Sequence, residues 1–216
     1  MPEIQLPTRT EATALIRNEP VQARSTARLA ALLDAAAEVV DEIGYERLTT
    51  AMVAERAGAS IGTVYRYFPD RIAVLQSLAA RNADRLTDRV LAELRDEQHH
   101  DWHAALSAAF GIFVEAFASE PGFASLRYGD VLDLRPRGAV PAYSVLASRM
   151  FDALTERFGL TATAEARRAF EAAVVASDAV AAHAFAVAPT APTPYLELGA
   201  AATRALLEPH FGPAAR

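Results

Sequence analysis

Apolar residues at helical spacing are the feature that most constrains the fold of this chain. From Ser25 onward, apolar side chains recur at the i, i+3, i+4 and i+7 spacing of one helix face, at Leu29, Leu32, Leu33, Ala36, Val40 and Ile43. Later segments keep approximately the same spacing between glycine and proline breaks, and no segment shows convincing strand alternation. The pattern predicts an all-α fold of about nine helices.

Capping residues and helix breakers predict the limits of the first helices. The expected signals are a left-handed cap at Gly44, a cap at Thr49 or Thr50 for a helix over 51–57, a stop at Gly58, a cap at Ser60 and a break at Pro69. Three short helices within about 45 residues follow from these signals.

The remaining chain is predicted to form longer helices. Asp70 is expected to cap a fourth helix that runs to the histidine-rich joint DEQHHDWH. Further helices are expected over 104–119, irregularly over 123–134, then over 140–158 with Gly159 at the end, over 163–188, and from a Thr193 cap with Pro194 in the first turn to Leu207.

Composition limits the class of protein. With 216 residues, 52% of them hydrophobic, the chain can bury one or two cores, and without cysteine it forms no disulfide or thiolate metal site. No apolar run approaches the roughly 18 residues of a membrane span, and the first residues are acidic and proline-containing, unlike a signal peptide. We therefore expect a cytoplasmic protein without membrane association.

Charge alone argues against nucleic-acid binding. The net charge is −6, and residues 1–70 contain seven arginines and ten acidic residues, so any basic surface must be local and non-specific DNA affinity modest. All 21 basic residues are arginines, which fits either phosphate and guanine recognition or compositional bias.

The stretch GASIGTVYRYF, residues 58–68, does not resemble a solvated helix. At 100° per residue, Ile61, Val64 and Phe68 fall on one side and are expected to pack inward. The opposite side carries three candidate DNA contacts, Gly62, Thr63 and Arg66, flanked by two more, Tyr65 and Tyr67.

This outer side suits a major groove. Gly62 allows close approach, Thr63 offers a hydroxyl and a methyl group, and the Arg66 guanidinium matches guanine O6 and N7. The preceding helix, the glycine turn and this helix give a helix-turn-helix arrangement. Thr50 at the start of the preceding helix and Arg71 after Pro69 and Asp70 are then placed to contact phosphates. The alternative is a structural helical hairpin with surface aromatics.

The segment LTTAMVAERAGASIGTVYRYFPDRIAVL resembles the DNA-binding signature of the TetR family of bacterial transcriptional regulators, from Leu48 to about Leu78. The resemblance implies a homodimer and three parts: a flexible N-terminal arm over 1–22, a three-helix DNA-binding domain over 23–70, and a helical ligand-binding and dimerisation domain over 71–216. The DNA contacts it implies are Thr50, Ile61, Gly62, Thr63, Tyr65, Arg66, Tyr67 and Arg71, and the capping residue Ser60 is a further candidate contact. Position 71 is usually lysine in the family, and arginine keeps the charge with a different geometry.

The resemblance also implies an effector pocket among the aromatic-rich helices. The candidate ligand contacts are Phe110, Phe113, Phe117, Tyr128, Tyr143, Met150 and Asp178. The alternative is that the aromatics are ordinary core and that Asp178 is solvated at a helix edge.

Dimerisation is expected through the alanine-rich helix around Asp178 and the final helix over 195–207, although small residues there equally suit intramolecular packing. His99, His100, Asp101 and His103 have metal-ligand spacing but no second set of ligands, so a hydrated joint is the simpler interpretation. No nucleophile–base motif or phosphate loop is present, and neither catalysis nor a cofactor is predicted.

The leading hypothesis is a repressor that binds a near-palindromic operator as a homodimer and is released by a small, largely apolar ligand. An activator or a protein-controlled regulator has the same sequence signature. A helical enzyme or apolar-ligand carrier without DNA binding is the alternative from a different class.

Overall fold

The computed structural model describes residues 23–126 and 140–213, and within these ranges the chain is helical, with no strand. The α-helices are α1 Ala23–Ile43, α2 Thr50–Arg56, α3 Ile61–Tyr67, α4 Arg71–Leu94, α5 Trp102–Ser119, α6 Phe123–Leu126, α7 Ala142–Phe158, α8 Ala164–Val187 and α9 Thr193–Phe211. A 3-10 turn, Tyr45–Arg47, connects α1 to the segment before α2. The all-α prediction is confirmed.

Side-chain caps begin several helices where the sequence predicts them. Thr49 Oγ1 accepts from the Met52 N–H at 3.2 Å, and Ser60 Oγ accepts from the Thr63 N–H at 3.1 Å. Asp70 Oδ1 accepts from the Ala73 N–H at 2.9 Å. Each cap satisfies a backbone donor that the first helical turn leaves without a partner.

Two helix ends differ from the prediction. Gly44 has φ 82° and ψ 154°, so it leaves α1 through an extended positive-φ conformation and not through a left-handed cap. At α9, the N–H groups of Tyr195 and Leu196 bond to the carbonyl of Pro192, so Thr193 is the first helical residue and not the cap. This helix also continues past Leu207 and through Pro209 to Phe211.

The chain forms two compact units. Among the described residues, the first comprises 23–84 and 120–126, and the second comprises 85–119 and 140–213. The division falls inside α4, whereas the sequence places a domain boundary at residue 70. The predicted arm over 1–22, the end of the predicted irregular helix and the turn at 135–138 lie outside the described residues.

The first unit has one continuous hydrophobic core. Helix α1 contributes Leu32 and Val40, α2 contributes Val53, and α3 contributes Val64, each at most 1% exposed. The Arg81 guanidinium joins α4 to α1 through Asp34 Oδ1 at 2.6 Å. The core therefore fixes α2 and α3 against the long helices α1 and α4.

The second unit packs around aromatic rings. The rings of Phe151, Phe170 and Phe211 lie about 6 Å apart, and Trp102 contacts Phe211 edge-on at 5.4 Å. Helices α8 and α9 pack closely at Gly199, where a Cβ atom would lie 2.8 Å from Val180 Cγ1.

Helices α5 and α8 are long and apolar enough to cross a membrane by length and composition. The sequence-based expectation that no such segment exists is therefore wrong, because α5 has one acidic residue and α8 intersperses few charges among alanines and valines. Core helices of soluble proteins have the same properties.

Candidate DNA-binding interface

A glycine turn connects α2 to α3. The Gly58 N–H bonds to the Glu55 carbonyl at 3.1 Å, and the Ala59 N–H bonds to the Ala54 carbonyl at 2.8 Å. Gly58 has φ 58°, which glycine adopts without steric cost. These bonds form a Schellman motif that fixes the angle between the two helices.

Both short helices, α2 and α3, are held in place by other residues of the first unit. Arg56 of α2 bonds to two carboxylates of α1, Glu38 at 3.1 Å and Glu42 at 2.6 Å. The hydrogen bond from Arg56 lowers the pKa of Glu42 below its ordinary value. Helix α3 is held by Val64, together with Phe68 at its end, both fully buried.

The opposite side of α3 is exposed. We call Ile61, Gly62, Thr63, Tyr65 and Arg66 the outer face of α3; Ile61 is 43% and Tyr65 45% exposed, and Gly62 and Arg66 are also exposed. A Cβ atom at Gly62 would meet only Ser60 Oγ, at 3.8 Å. The protein's own packing therefore does not require a glycine at this position.

Hydroxyl groups link the outer face to its supports. Ser60 Oγ lies 2.9 Å from Thr63 Oγ1, so the capping serine also orients the threonine. Thr50 is nearly buried, and its hydroxyl donates to the Tyr65 hydroxyl at 3.3 Å. This contact joins the first turn of α2 to the middle of α3.

Two residues of α3 lie where the sequence analysis did not expect them. Ile61 was expected to pack inward but is exposed, because the buried contacts of α3 begin one turn later at Val64. Tyr67 was expected to flank the outer side but is only 1% exposed, because it lies three residues after Val64 on the same side of the helix. Its ring belongs to the core of the first unit.

Arg71 is exposed but bonded within the protein. Its Nη1 donates to the Glu46 carbonyl at 2.6 Å and to the Leu48 carbonyl at 3.5 Å. The side chain thus supports the segment between α1 and α2. A phosphate contact by Arg71 stays a prediction.

Met52 is an exposed apolar residue that was not among those predicted from the sequence. This residue is 39% exposed in the first turn of α2, the helix that precedes the outer face of α3. The buried residues of α2 are Thr50, Val53 and Ala54. Met52 lies outside this buried set although its side chain is apolar, and that mismatch would have marked it as a candidate.

The candidate effector residues fall into two groups within the second unit. Phe113 lies 6.4 Å from Phe110 and 5.1 Å from Phe117, and Phe117 stacks at 5.5 Å on Phe185 of α8, which the sequence analysis did not single out. The second group contains a polar pair of the half-buried Tyr143 and the buried Asp178: the Tyr143 hydroxyl donates to Asp178 Oδ2 at 2.6 Å.

Asp178 is only 7% exposed, so its interpretation as a solvated residue at a helix edge is wrong. Met150 is also buried, at 7% exposed on α7. Tyr128 lies outside the described residues. Within the described ranges no group of three ligating side chains is close enough to hold a metal, and His99 Nε2 instead lies 2.8 Å from Glu93 Oε1.

The comparisons with known proteins agree with this geometry. Residues 32–78 match the family described as bacterial regulatory proteins, tetR family. The repressor KstR of Rhodococcus jostii is 41% identical over 58 residues, which is 27% of each chain. The regulator AlkX of Mycobacterium tuberculosis is 31% identical over 134 residues, 60% of this chain and 63% of AlkX.

The similarity to AlkX thus spans less than two thirds of its length, and that to KstR less than one third. A TetR-family regulator from Streptomyces coelicolor, known from its crystal structure, is similar throughout. It is 30% identical with a TM-score of 0.71, and the match covers 85% of this chain and 99% of that one.

Two helices joined by a glycine turn, with a buried side and a bare side on the second helix, define a helix-turn-helix transcriptional regulator. The chain belongs to the TetR family of bacterial transcriptional regulators. The three relatives described above are named as transcriptional regulators or repressors.

Proposed function

We propose that the protein is a transcriptional repressor that binds a near-palindromic operator as a homodimer through the outer face of α3. The observation that carries the proposal is the surface of α3 at Gly62, Thr63 and Arg66, where Gly62 and Arg66 are exposed and a Cβ atom at Gly62 would meet only Ser60 Oγ. Major-groove recognition uses backbone approach, hydroxyl groups and a guanidinium fork of this kind. The KstR relatives are named as repressors, which supports this sign of regulation.

In this proposal, DNA recognition lies in the first unit, and effector binding and dimerisation lie in the helices that follow. The first unit holds the helix-turn-helix, with Thr50, Ser60 and Arg71 around the outer face as candidate contacts. The proposed site of action is the bacterial cytoplasm, where chromosomal DNA lies.

An exposed apolar surface on α8 and α9 supports the homodimer. Its large members are Val175, Val187, Tyr195, Leu198 and Leu206, which are between 40% and 71% exposed. Between residues 172 and 187 the only charged side chain of α8 is Asp178, which is buried. An isologous contact between two such helix pairs would bury this surface as a four-helix bundle.

The ring cluster and the polar pair of Tyr143 and Asp178 support an effector that is largely apolar. Phe113, Phe117 and Phe185 supply aromatic surface, while Tyr143 and Asp178 supply one polar anchor. Release from DNA then requires two conformations of the dimer that differ in the distance between the two α3 helices. The effector must bind the conformation that does not match the operator more tightly than the one that does. A coupling of about 1–3 kcal/mol is typical of such systems.

A gel-shift titration against the DNA upstream of the protein's own gene tests the proposal, with a random duplex of equal length as competitor. We expect Arg66→Ala to weaken specific binding by about 1–3 kcal/mol if the guanidinium reads a base. An equal loss on both duplexes would assign Arg66 to phosphate. Absence of any sequence preference in the wild type would reject operator binding.

A further inference from the structure

Three side chains from α1 and α3 meet at the edge of the outer face of α3. The Tyr67 hydroxyl lies 3.1 Å from Ser25 Oγ and donates to the Ser25 carbonyl at 3.4 Å. Arg66 Nη2 donates to the same hydroxyl at 3.3 Å. We call these residues the Ser25–Tyr67–Arg66 chain.

The Tyr67 hydroxyl is the fixed member of this chain. Its ring is 1% exposed and packed in the core of the first unit, so the hydroxyl has one position. One O–H donor and two lone pairs allow it to donate to Ser25 and accept from Arg66 at once. Because the ring is buried, the hydrogen bond to its hydroxyl restricts the conformations of the Arg66 side chain.

Contact between the ring and the guanidinium strengthens this restriction. Arg66 Cζ lies 5.2 Å from the centroid of the Tyr67 ring, within cation–π range. Hydrogen bonds, first the one with Ser25 and then the one from Arg66, lower the pKa of Tyr67 below its ordinary value against the opposing effect of burial. The cation–π contact and the hydrogen bond from Arg66 both require the guanidinium to remain beside Tyr67.

We propose that Tyr67 is a positioning residue for DNA recognition: anchored on Ser25 of α1, it orients the Arg66 guanidinium on the outer face of α3. An arginine that is already ordered loses less side-chain entropy when it binds. The proposal rests on the proposed DNA-binding function, and it moves Tyr67 from contacting DNA to holding the residue that does.

A double-mutant cycle tests the positioning role. The probe is a duplex selected from a random-sequence library by the wild-type protein, and the variants are Tyr67→Phe, Arg66→Ala and their combination. Tyr67→Phe removes the hydroxyl that orders the Arg66 guanidinium, and the cost of ordering one side chain on binding predicts that binding weakens about threefold to tenfold. In the Arg66→Ala background the same change should have no effect. Equal losses in both backgrounds, or no loss in either, would overturn the proposal.

A matched variant covers a loss of fold. Tyr67→Phe retains the buried ring, and its thermal midpoint is measured alongside binding. If that midpoint falls, Ser25→Ala removes an anchor of the hydroxyl without changing the core. We expect it to weaken binding in the wild-type background and to have no effect with Arg66→Ala. An effect that persists with Arg66→Ala would contradict the chain.

A measurement without DNA separates this proposal from the proposed function. In protein labelled with 13C at tyrosine Cζ, the Tyr67 resonance is assigned by its absence in Tyr67→Phe and titrated with pH. Its pKa should lie below the ordinary value of 10.0 and rise in Arg66→Ala. An unchanged titration would overturn the proposed pairing. A wild type that selects no DNA sequence would reject the proposed function and leave this titration to decide the pairing.

Discussion

At the scale of single residues, two glycines in this chain are present for opposite reasons. At Gly199 a Cβ atom would collide with Val180, so the protein's own packing requires the glycine. At Gly62 a Cβ atom would meet only Ser60 Oγ at 3.8 Å, on an exposed helix. The fold therefore does not require a glycine at position 62, and the proposed DNA contact gives a reason for it.

Gly62→Ala is therefore expected to stabilise the protein and weaken its DNA binding. Alanine in an exposed helix is favoured over glycine by about 0.8–1.0 kcal/mol, which a urea unfolding titration should detect. Anisotropy titration on the selected duplex should show a loss of affinity, because the added methyl group blocks backbone approach to the base edges. Gly111→Ala, at a glycine of α5 with no atom near its Cβ position, is the control. Unchanged DNA affinity in Gly62→Ala would contradict the assignment of this face.

Ile61 provides a second test at this scale. An isoleucine that is 43% exposed at the start of α3 suits the C5-methyl group of thymine. Replacing contacted thymines by deoxyuridine, which lacks that methyl group, should weaken binding to the wild type and have less effect on Ile61→Ala. Equal effects on both proteins would show that Ile61 does not contact a thymine methyl.

At the scale of elements, the sequence predicts helix starts better than burial. Thr49, Ser60 and Asp70 act as caps because a cap is a local hydrogen bond between neighbours in the chain. The burial of Tyr67 and the exposure of Ile61 depend on where α1 and α2 pack, which periodicity within seven residues does not determine. The Ser25–Tyr67–Arg66 chain joins residues 42 apart and has no local signal.

Gly199→Ala tests the packing of α8 on α9. The new methyl group would lie 2.8 Å from Val180 Cγ1, and a valine side chain has little rotamer freedom in a helix. Overpacking of this kind costs about 1–3 kcal/mol, measured by urea unfolding. The Gly111→Ala control should show no such loss. A Gly199→Ala protein as stable as the wild type would contradict the close approach of the two helices.

The contact of α1 with α2 should depend on pH. The folded-state pKa of Glu42 is lowered from its ordinary value of 4.5 by the hydrogen bond from Arg56. Its contribution to stability is therefore present above that ordinary value and lost as the pH falls through the folded-state value.

Glu42→Gln should be less stable than the wild type at pH 7, and the difference should shrink as the pH falls below 4.5. Thermal unfolding at pH 7 and at a pH below 4.5 measures this difference in stability. The control is Glu55→Gln, which replaces an exposed acidic residue of α2. A difference that is constant across this range would exclude the ion pair as its cause.

At the scale of the whole molecule, the family and fold class follow from the sequence, whereas the organisation into units does not. The segment over 48–75 already has the spacing of a helix-turn-helix. Residues 120–126 return to the first unit, and Gly122 makes this contact possible. Its N–H bonds to Asp41 Oδ1 at 3.0 Å, and the absence of a Cβ atom leaves room for the Ala37 carbonyl. Such a long-range contact has no periodic signature in the sequence.

The proposed dimer surface predicts that Leu198→Glu yields monomers. Leu198 is 71% exposed on α9, and burying a carboxylate in a dimer interface without a partner is unfavourable. Ala200→Glu is the control, because it adds the same charge on the flank of α9 that carries Glu197 and Arg204. Light scattering after size exclusion should show a dimer for the control and a monomer for Leu198→Glu. Two dimers, or a monomeric wild type, would reject this surface.

In the proposed function, two copies of the outer face of α3 read one duplex. The decisive experiment is selection from a random-sequence library, followed by footprinting on the selected DNA. Recognition by a homodimer predicts a near-palindromic site whose half-sites lie about 34 Å apart or a multiple of that distance, and loss of its protection in Arg66→Ala. Enrichment of no sequence, or a footprint that Arg66→Ala and Gly62→Ala both leave intact, would contradict it.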